Sequence, residues 1–412
     1  MNRFLTRASL PDSFLWGAAT SSHQVEGSNT KNDWYLWERQ GKIIPAGLAC
    51  RHYDLYCSDF ALAKALGHNA HRFSIEWSRV HLGKGRWDNA EMEHYRKVLI
   101  CLRNKGLEPV VTLWHFTLPD WLFQQAGWEN TKAEGYFLEY IEKITSEFKD
   151  YVKYWVIMNE PLVYAYQSYL AGQWPPGKRS LSKSFKIAKI LTKAYINAYK
   201  IIHSLYQNRE VFAGIAKNFI DFAPCRFANL GQNNLVCFLR DRIFNVWLVD
   251  YLAKKNTLDF IGVNYYRRDF IRAGIFSLAG KECKNAHHKL PKNSLGWFIY
   301  PQGLEKALLR LKKYQIPVII TENGTTAEKG PDYLSFLESH IKAVFSALSQ
   351  DVDVRGYFWW SLLDNYEWDK GFKAKFGLVG IGEGFKRIIK PFAYKYKDII
   401  CSGFPGRISP QV

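Results

Sequence analysis

Short apolar runs recur along the chain, separated by segments with one apolar and one polar face. The runs occupy residues 14–20, 70–75, 109–114, 153–158, 212–216, 260–264, 317–321 and 355–360. Most are too uniformly apolar for strands with one wet face, and burial on both faces is what a parallel sheet covered by helices demands. Between them, residues 55–66, 90–105, 136–151, 185–205, 304–314 and 333–348 place apolar side chains at helical period. Gly67, Gly106 and the segment 315–317 stop helices before the next run begins. Strand and helix alternating in this way predict an α/β fold, a single (β/α)8 TIM barrel. No low-complexity linker divides the chain, so residues 1–412 read as one domain, long for a single unit but ordinary for a barrel.

In such a barrel, chemistry collects where the strands end. Gln24 lies just beyond the first run, Arg72 within the second and His115 at the end of the third. Asn159 and Glu160 close the fourth, Asn218 the fifth, Asn264 and Tyr266 the sixth, Glu322 the seventh and Trp360 the eighth. This ring suits hydroxyl groups and contains two acids. Each acid ends an apolar strand: Trp155-Val156-Ile157-Met158-Asn159-Glu160-Pro161 and Pro317-Val318-Ile319-Ile320-Thr321-Glu322-Asn323-Gly324. A carboxyl at the rim of a hydrophobic core has its proton affinity shifted by burial and nearby charge. Two of them brought together would supply the acid and the nucleophile of a retaining glycosidase.

Composition alters this picture little. The 16% aromatic content, with fifteen Trp, fits either a well-filled core or a cleft of rings for the C–H faces of a sugar. A formal charge of +18 invites nucleic acid as a partner. However, Lys183, Lys186, Lys189, Lys193 and Lys200 share one helical side, and apolar residues largely fill the rest. That is a solvated basic face. No nucleic-acid module accompanies it, so no specific nucleic-acid partner is expected; weak association with anionic surfaces is the alternative. The seven cysteines (50, 57, 101, 225, 237, 283 and 401) form no CxxC pair. Their odd number predicts reduced thiols in a reducing compartment. Cys283 with His287 and His288 lacks a fourth ligand and reads as an ordinary polar loop, so no metal is predicted. No stretch suits a signal peptide or a membrane span, which predicts a cytoplasmic protein.

The motifs, taken in order, resemble glycoside hydrolase family 1, the β-glucosidase and β-galactosidase family, over nearly the whole chain. They are Phe-Leu-Trp-Gly-Ala-Ala-Thr at 14–20, Gln-Val-Glu-Gly at 24–27, His-Arg-Phe-Ser-Ile at 71–75 and Thr-Leu-Trp-His at 112–115. Asn-Glu-Pro at 159–161, Asn-Tyr-Tyr at 264–266, Thr-Glu-Asn-Gly at 321–324 and Trp-Ser-Leu-Leu-Asp-Asn-Tyr-Glu-Trp at 360–368 continue the series. The resemblance implies that Glu160 is the acid/base and Glu322 the nucleophile, with Arg72 and Tyr266 holding Glu322 ionised. Asn159 would reach the sugar 2-hydroxyl, with Asn264 supporting the pair. A buried Arg72–Glu76 ion pair is the competing reading of that arginine.

Gln24, His115, Trp360, Glu367 and Trp368 match residues that bind the non-reducing sugar. Glu367 suits the 4- and 6-hydroxyls of an unmodified hexose and would repel a 6-phosphate. The phospho-glycosidase branch has serine there, followed by a Lys-x-Tyr clamp. This chain has Ala374 and Phe376 at the clamp positions, with Lys373 and Lys375 out of register. The expected substrate is therefore a small or oligomeric β-glycoside, a glucoside first and a galactoside or fucoside second, cleaved without metal or organic cofactor. A transglycosylase using the same two acids and a silent glycan-binding relative are the alternatives.

Three departures stand out against the family pattern. Residues 219–249 replace a longer stretch, the loop 324–331 is brief, and Phe116-Thr117 stands where many members have Trp-Asp. Trimmed loops after the strands predict an open mouth that tolerates varied aglycones.

Overall fold

Eight strands pair edge to edge in parallel and return to the first. They are β1 (Leu15–Ala19), β2 (Ala70–Ser74), β3 (Glu108–Thr112), β4 (Tyr154–Asn159), β5 (Phe212–Pro224), β6 (Phe260–Gly274), β7 (Val318–Asn323) and β8 (Val354–Trp360). Each joins the next, and β8 closes on β1 through Leu15 opposite Gly356 and Ala19 opposite Trp360. This is the predicted TIM barrel, and every strand overlaps a predicted run. The computed structural model describes residues 10–402 except 12, 208, 226–229, 275–276, 284–288 and 328–329.

The predicted helices are α1 (His52–Ala65), α2 (Asn89–Asn104), α3 (Ala133–Phe148), α4 (Leu181–Tyr206), α7 (Pro301–Leu311) and α8 (Gly330–Ser349). Between β5 and β6 the chain also forms α5 (Leu230–Arg240), a π-helical stretch Asp241–Val246 and α6 (Trp247–Lys254); after β8 it forms α9 (Pro391–Ser402). Local chemistry sets the ends. The Asp88 carboxylate accepts from the N–H groups of Ala90 and Glu91 at the start of α2, satisfying donors that a helix leaves open. Behind that cap, Met92, Tyr95, Val98, Leu99 and Leu102 form a buried face. On α4, Lys186, Lys189 and Lys200 are exposed, while Lys183 and Lys193 pair with Glu129 (2.6 Å) and Glu134 (2.9 Å).

Apolar packing divides into two layers. Leu15, Ala19, Ala70, Val110, Val156, Ala216, Phe260, Ile319 and Phe358 fill the barrel interior, topped by Trp360, Ala374 and Phe376. A larger layer lies between strands and helices. Large and small side chains alternate inside, so the bore is solid beneath the mouth and chemistry is confined to the strand ends.

β5 and β6 outrun their predicted ends. Their pairing continues to Pro224 opposite Ile271, and an antiparallel strand Ser277–Glu282 adds to β6. This arm corrects the expectation that all cysteines are reduced: Cys225 and Cys283 form a disulfide. The two lie 58 positions apart and only the three-strand pairing brings them together, which no spacing rule could reveal. Cys50, Cys57, Cys101 and Cys237 take part in no disulfide. His287 and His288 lie outside the described residues. Among the described residues no cluster of His, Cys, Asp and Glu is arranged to hold a metal, and no helix is long and apolar enough to cross a membrane.

Candidate active site

The backbone turns sharply at Glu160. Its φ of 45° lies in the left-handed region, which residues with a Cβ seldom adopt. Two features hold it there: its N–H donates to the Ala216 carbonyl (2.8 Å), and Pro161 opens a short helix, Pro161–Tyr166, immediately after it. The Glu160 carboxyl then accepts from two amides, Asn264 Nδ2 (2.8 Å) and Asn218 Nδ2 (3.1 Å). Thr321 donates to Asn264 Oδ1 (2.6 Å), which fixes that amide with its nitrogen toward the acid. The other N–H of Asn264 donates to Asn159 Oδ1 (3.1 Å).

Glu322 has a different setting. Arg72 Nη1 reaches its Oε1 at 2.6 Å, and Tyr266 donates to its Oε2 at 2.6 Å. The same guanidinium donates to Asn159 Oδ1 (2.7 Å), the Thr321 carbonyl (3.1 Å) and Thr112 Oγ1 (3.1 Å). The competing Arg72–Glu76 pair does not form; Glu76 instead accepts hydroxyl donors from Ser22, Ser78 and Thr117. Thr117, one of the departures from the family pattern, is thus absorbed in holding Glu76.

Electrostatics separate the two acids. Burial raises Glu160, and the charge of Glu322 raises it further, to about 7. Burial also raises Glu322, against the pull of Arg72 and the hydrogen bonds from Tyr266 and Arg72. Desolvation therefore outweighs the partners that were expected to hold Glu322 ionised, and its net direction is upward. Only Glu322 has a guanidinium bonded to it, so the proton the pair shares belongs on Glu160.

The remaining predicted residues gather around this pair. Asn159 Nδ2 donates to His115 Nε2 at 3.2 Å, and burial holds His115 well below the usual histidine range, hence neutral. Its buried Nδ1 has no hydrogen-bond partner among the described residues. Gln24 donates to Glu367 Oε2 (3.0 Å) and to the Tyr366 carbonyl (2.9 Å). Burial and the charge of Glu322 push Glu367 up to about 8, against hydrogen bonds from Gln24 and Trp360. The His115 ring lies nearly parallel to those of Trp360 and Trp368, at centroid distances of 5.8 and 6.0 Å. Phe376 lies 6.0 Å from Tyr266. Ala374 and Phe376 are buried while Lys373 and Lys375 are exposed, so both lysines face away from the site. The fold thus links the predicted residues through direct contacts.

Sequence reasoning missed others. Asn218 was placed at a strand end without its contact to Glu160. Lys217, one residue earlier, is buried beside it. Trp297 sits 5.9 Å from Tyr266 and 6.2 Å from Phe376, and Trp174 packs on Phe116 and Trp368. The two tryptophans come from loops without a local pattern, and the aromatic excess was their only signal.

A closed parallel barrel with two buried acids at its mouth, set among amides and indoles, has the build of a glycoside hydrolase. Comparison with known proteins agrees. The sequence pattern of glycosyl hydrolase family 1 matches residues 6–229 and 239–404. Beta-glucosidase A of Thermotoga maritima is 30% identical, over 95% of this chain and 97% of that one. A beta-galactosidase of Pyrococcus woesei is 28% identical, over 90% and 92%. A solved structure of a beta-glycosidase from Pyrococcus horikoshii superposes with a TM-score of 0.89 at 35% identity, covering 97% of this chain and 96% of that one. The chain belongs to glycosyl hydrolase family 1.

Proposed function

We propose that the chain is a retaining β-glycosidase, acting as a single catalytic domain on terminal non-reducing β-D-glucosyl residues and, secondarily, on galactosyl or fucosyl ones. The carrying observation is the asymmetry of the two carboxyls: one bound by a guanidinium and a phenol, the other by two amides alone. Glu322 attacks the anomeric carbon while the bond from that carbon to the aglycone oxygen breaks. Glu160 gives its proton to the departing oxygen. In the second step a water attacks the same carbon, loses a proton to Glu160 and releases Glu322 from the ester, restoring both groups.

Asn159, held by Arg72 and His115, serves the 2-hydroxyl, where contacts strengthen as positive charge builds in the ring. Gln24, His115 and Glu367 receive the other hydroxyls, and Trp360 and Trp368 stack on the sugar. Glu367 and the inward Ala374 and Phe376 favour an unphosphorylated hexose. The names of the relatives support both glucoside and galactoside cleavage.

Hydrolysis of 4-nitrophenyl β-D-glucoside tests the reading, with Glu322→Ala assayed alongside and azide added to both. Turnover by the wild type, loss in the variant and partial recovery with azide are expected. Absence of turnover on the glucoside, galactoside, fucoside and mannoside would refute it.

A further inference from the structure

Lys217 lies on β5, one residue before Asn218, and only 1% of its surface is exposed. An ammonium taken out of water normally finds a carboxylate. Among the described residues this one has no ion-pair partner. Its Nζ donates to the Asn218 carbonyl and lies over the rings of Phe244 (4.3 Å) and Phe219 (5.2 Å). The residue whose carbonyl it holds is the one whose side-chain amide donates to Glu160. A lysine kept merely for packing would be replaceable by an apolar side chain at no loss, since the surroundings are already aromatic.

Resting on the assignment of Glu160 as acid/base, we propose that Lys217 is a positioning residue. It pins Asn218 so that the amide meets Glu160, and it places a positive charge behind the acid. The groups facing Glu160 are Glu322 from β7, Tyr266 from β6 and Lys217 from β5, with Arg72 and His115 reached through Asn159. Asp241 from the π-helical stretch faces Lys217 but is bonded to Arg310 (2.6 Å) and Asn245. Glu322 and burial hold the proton on Glu160; Lys217 opposes them. Burial lowers Lys217 itself to about 7, against the charges of Glu160 and Asp241, so it is charged below that pH, and its help in ionising Glu160 fades as pH rises through neutrality.

The test is the pH profile of kcat/KM on an alkyl β-glucoside, a poor leaving group, for the full chain and its variants. In Lys217→Met the alkaline limb is expected to move upward by roughly one pH unit while the acid limb stays. Lys217→Arg, which stays charged across the whole range, should leave the alkaline limb at or below that of the wild type. Because burial depresses Lys217 below its unfolded value, its charged form weakens the fold at low pH, and the Met variant should melt at or above the wild-type temperature at pH 6. An unmoved alkaline limb in folded Lys217→Met overturns the proposal. Should that variant fail to fold, Lys217→Gln carries the same test. Glu160→Gln distinguishes the two levels of inference: a loss below about a hundredfold would refute the acid/base role itself, whereas a larger loss with an unmoved Lys217→Met limb refutes only the role of Lys217.

Discussion

Glu160 and Glu322 are the same residue type on equivalent strand ends, yet one is bound by two amides and the other by a guanidinium and a phenol. With Glu160 at about 7, the protonated acid is present below that pH, so kcat/KM should fall as pH rises through neutrality. A wild-type profile flat from pH 6 to 9 would contradict this. Tyr266 makes its bond to Glu322 through a single hydroxyl. Hydrogen bonds to charged groups are worth about 1.5–3 kcal/mol, so Tyr266→Phe should lower kcat by about 10- to 100-fold with little loss of stability. Steady-state kinetics with a thermal melt will check both halves. The two acids were legible because each interrupts an apolar run. Lys217 was not, since a lysine beside a strand end looks like an ordinary surface residue until Phe219 and Phe244 cover it.

Secondary elements meet at a few points where no slack exists. A Cβ on Gly324 would stand 2.0 Å from the Trp360 carbonyl oxygen, so β7 and β8 approach as closely as they do only because that residue is glycine. Gly324→Ala should force the end of β7 away from β8, lowering both the melting temperature and kcat. Unchanged values in both assays would count against this reading. On the opposite flank, Asp59 on α1 is fully buried and accepts from Arg387 (two bonds of 2.7 Å) and from His52 (2.8 Å), tying α1 to the segment before α9. Burial alone would raise Asp59, but these donors outweigh it and the net direction is downward. The ion pair therefore stabilises the fold at neutral pH and is lost as pH falls below the ordinary aspartate range. Asp59→Ala leaves the guanidinium unpaired and should cost about 3–5 kcal/mol in urea denaturation at pH 7. The helical period of α1 was plain in the sequence, but its link to Arg387, 328 positions away, was not.

For the whole molecule, access to the site depends on the rim rather than the strands. Trimmed loops predict comparable rates on aryl β-glucosides and on cello-oligosaccharides, and refusal of anything longer than a disaccharide would refute it. Several features follow from the sequence alone. Eight apolar runs with intervening amphipathic segments can bury their surfaces only as strands inside a ring of helices. Once that ring closes, the polar residues ending each run must share one mouth, so Glu160, Glu322, Arg72 and Asn264 could be named together beforehand. Tertiary structure alone decided what depends on distance and desolvation. It joined Cys225 to Cys283 across the arm, gave Arg72 to Glu322 instead of Glu76, and raised Glu322 despite its partners. It also buried Lys217 beside Asn218, against Phe219 and Phe244. Periodicity records which face of an element is dry, whereas pairing energies and proton affinities depend on which groups from distant segments meet there and how little water remains between them.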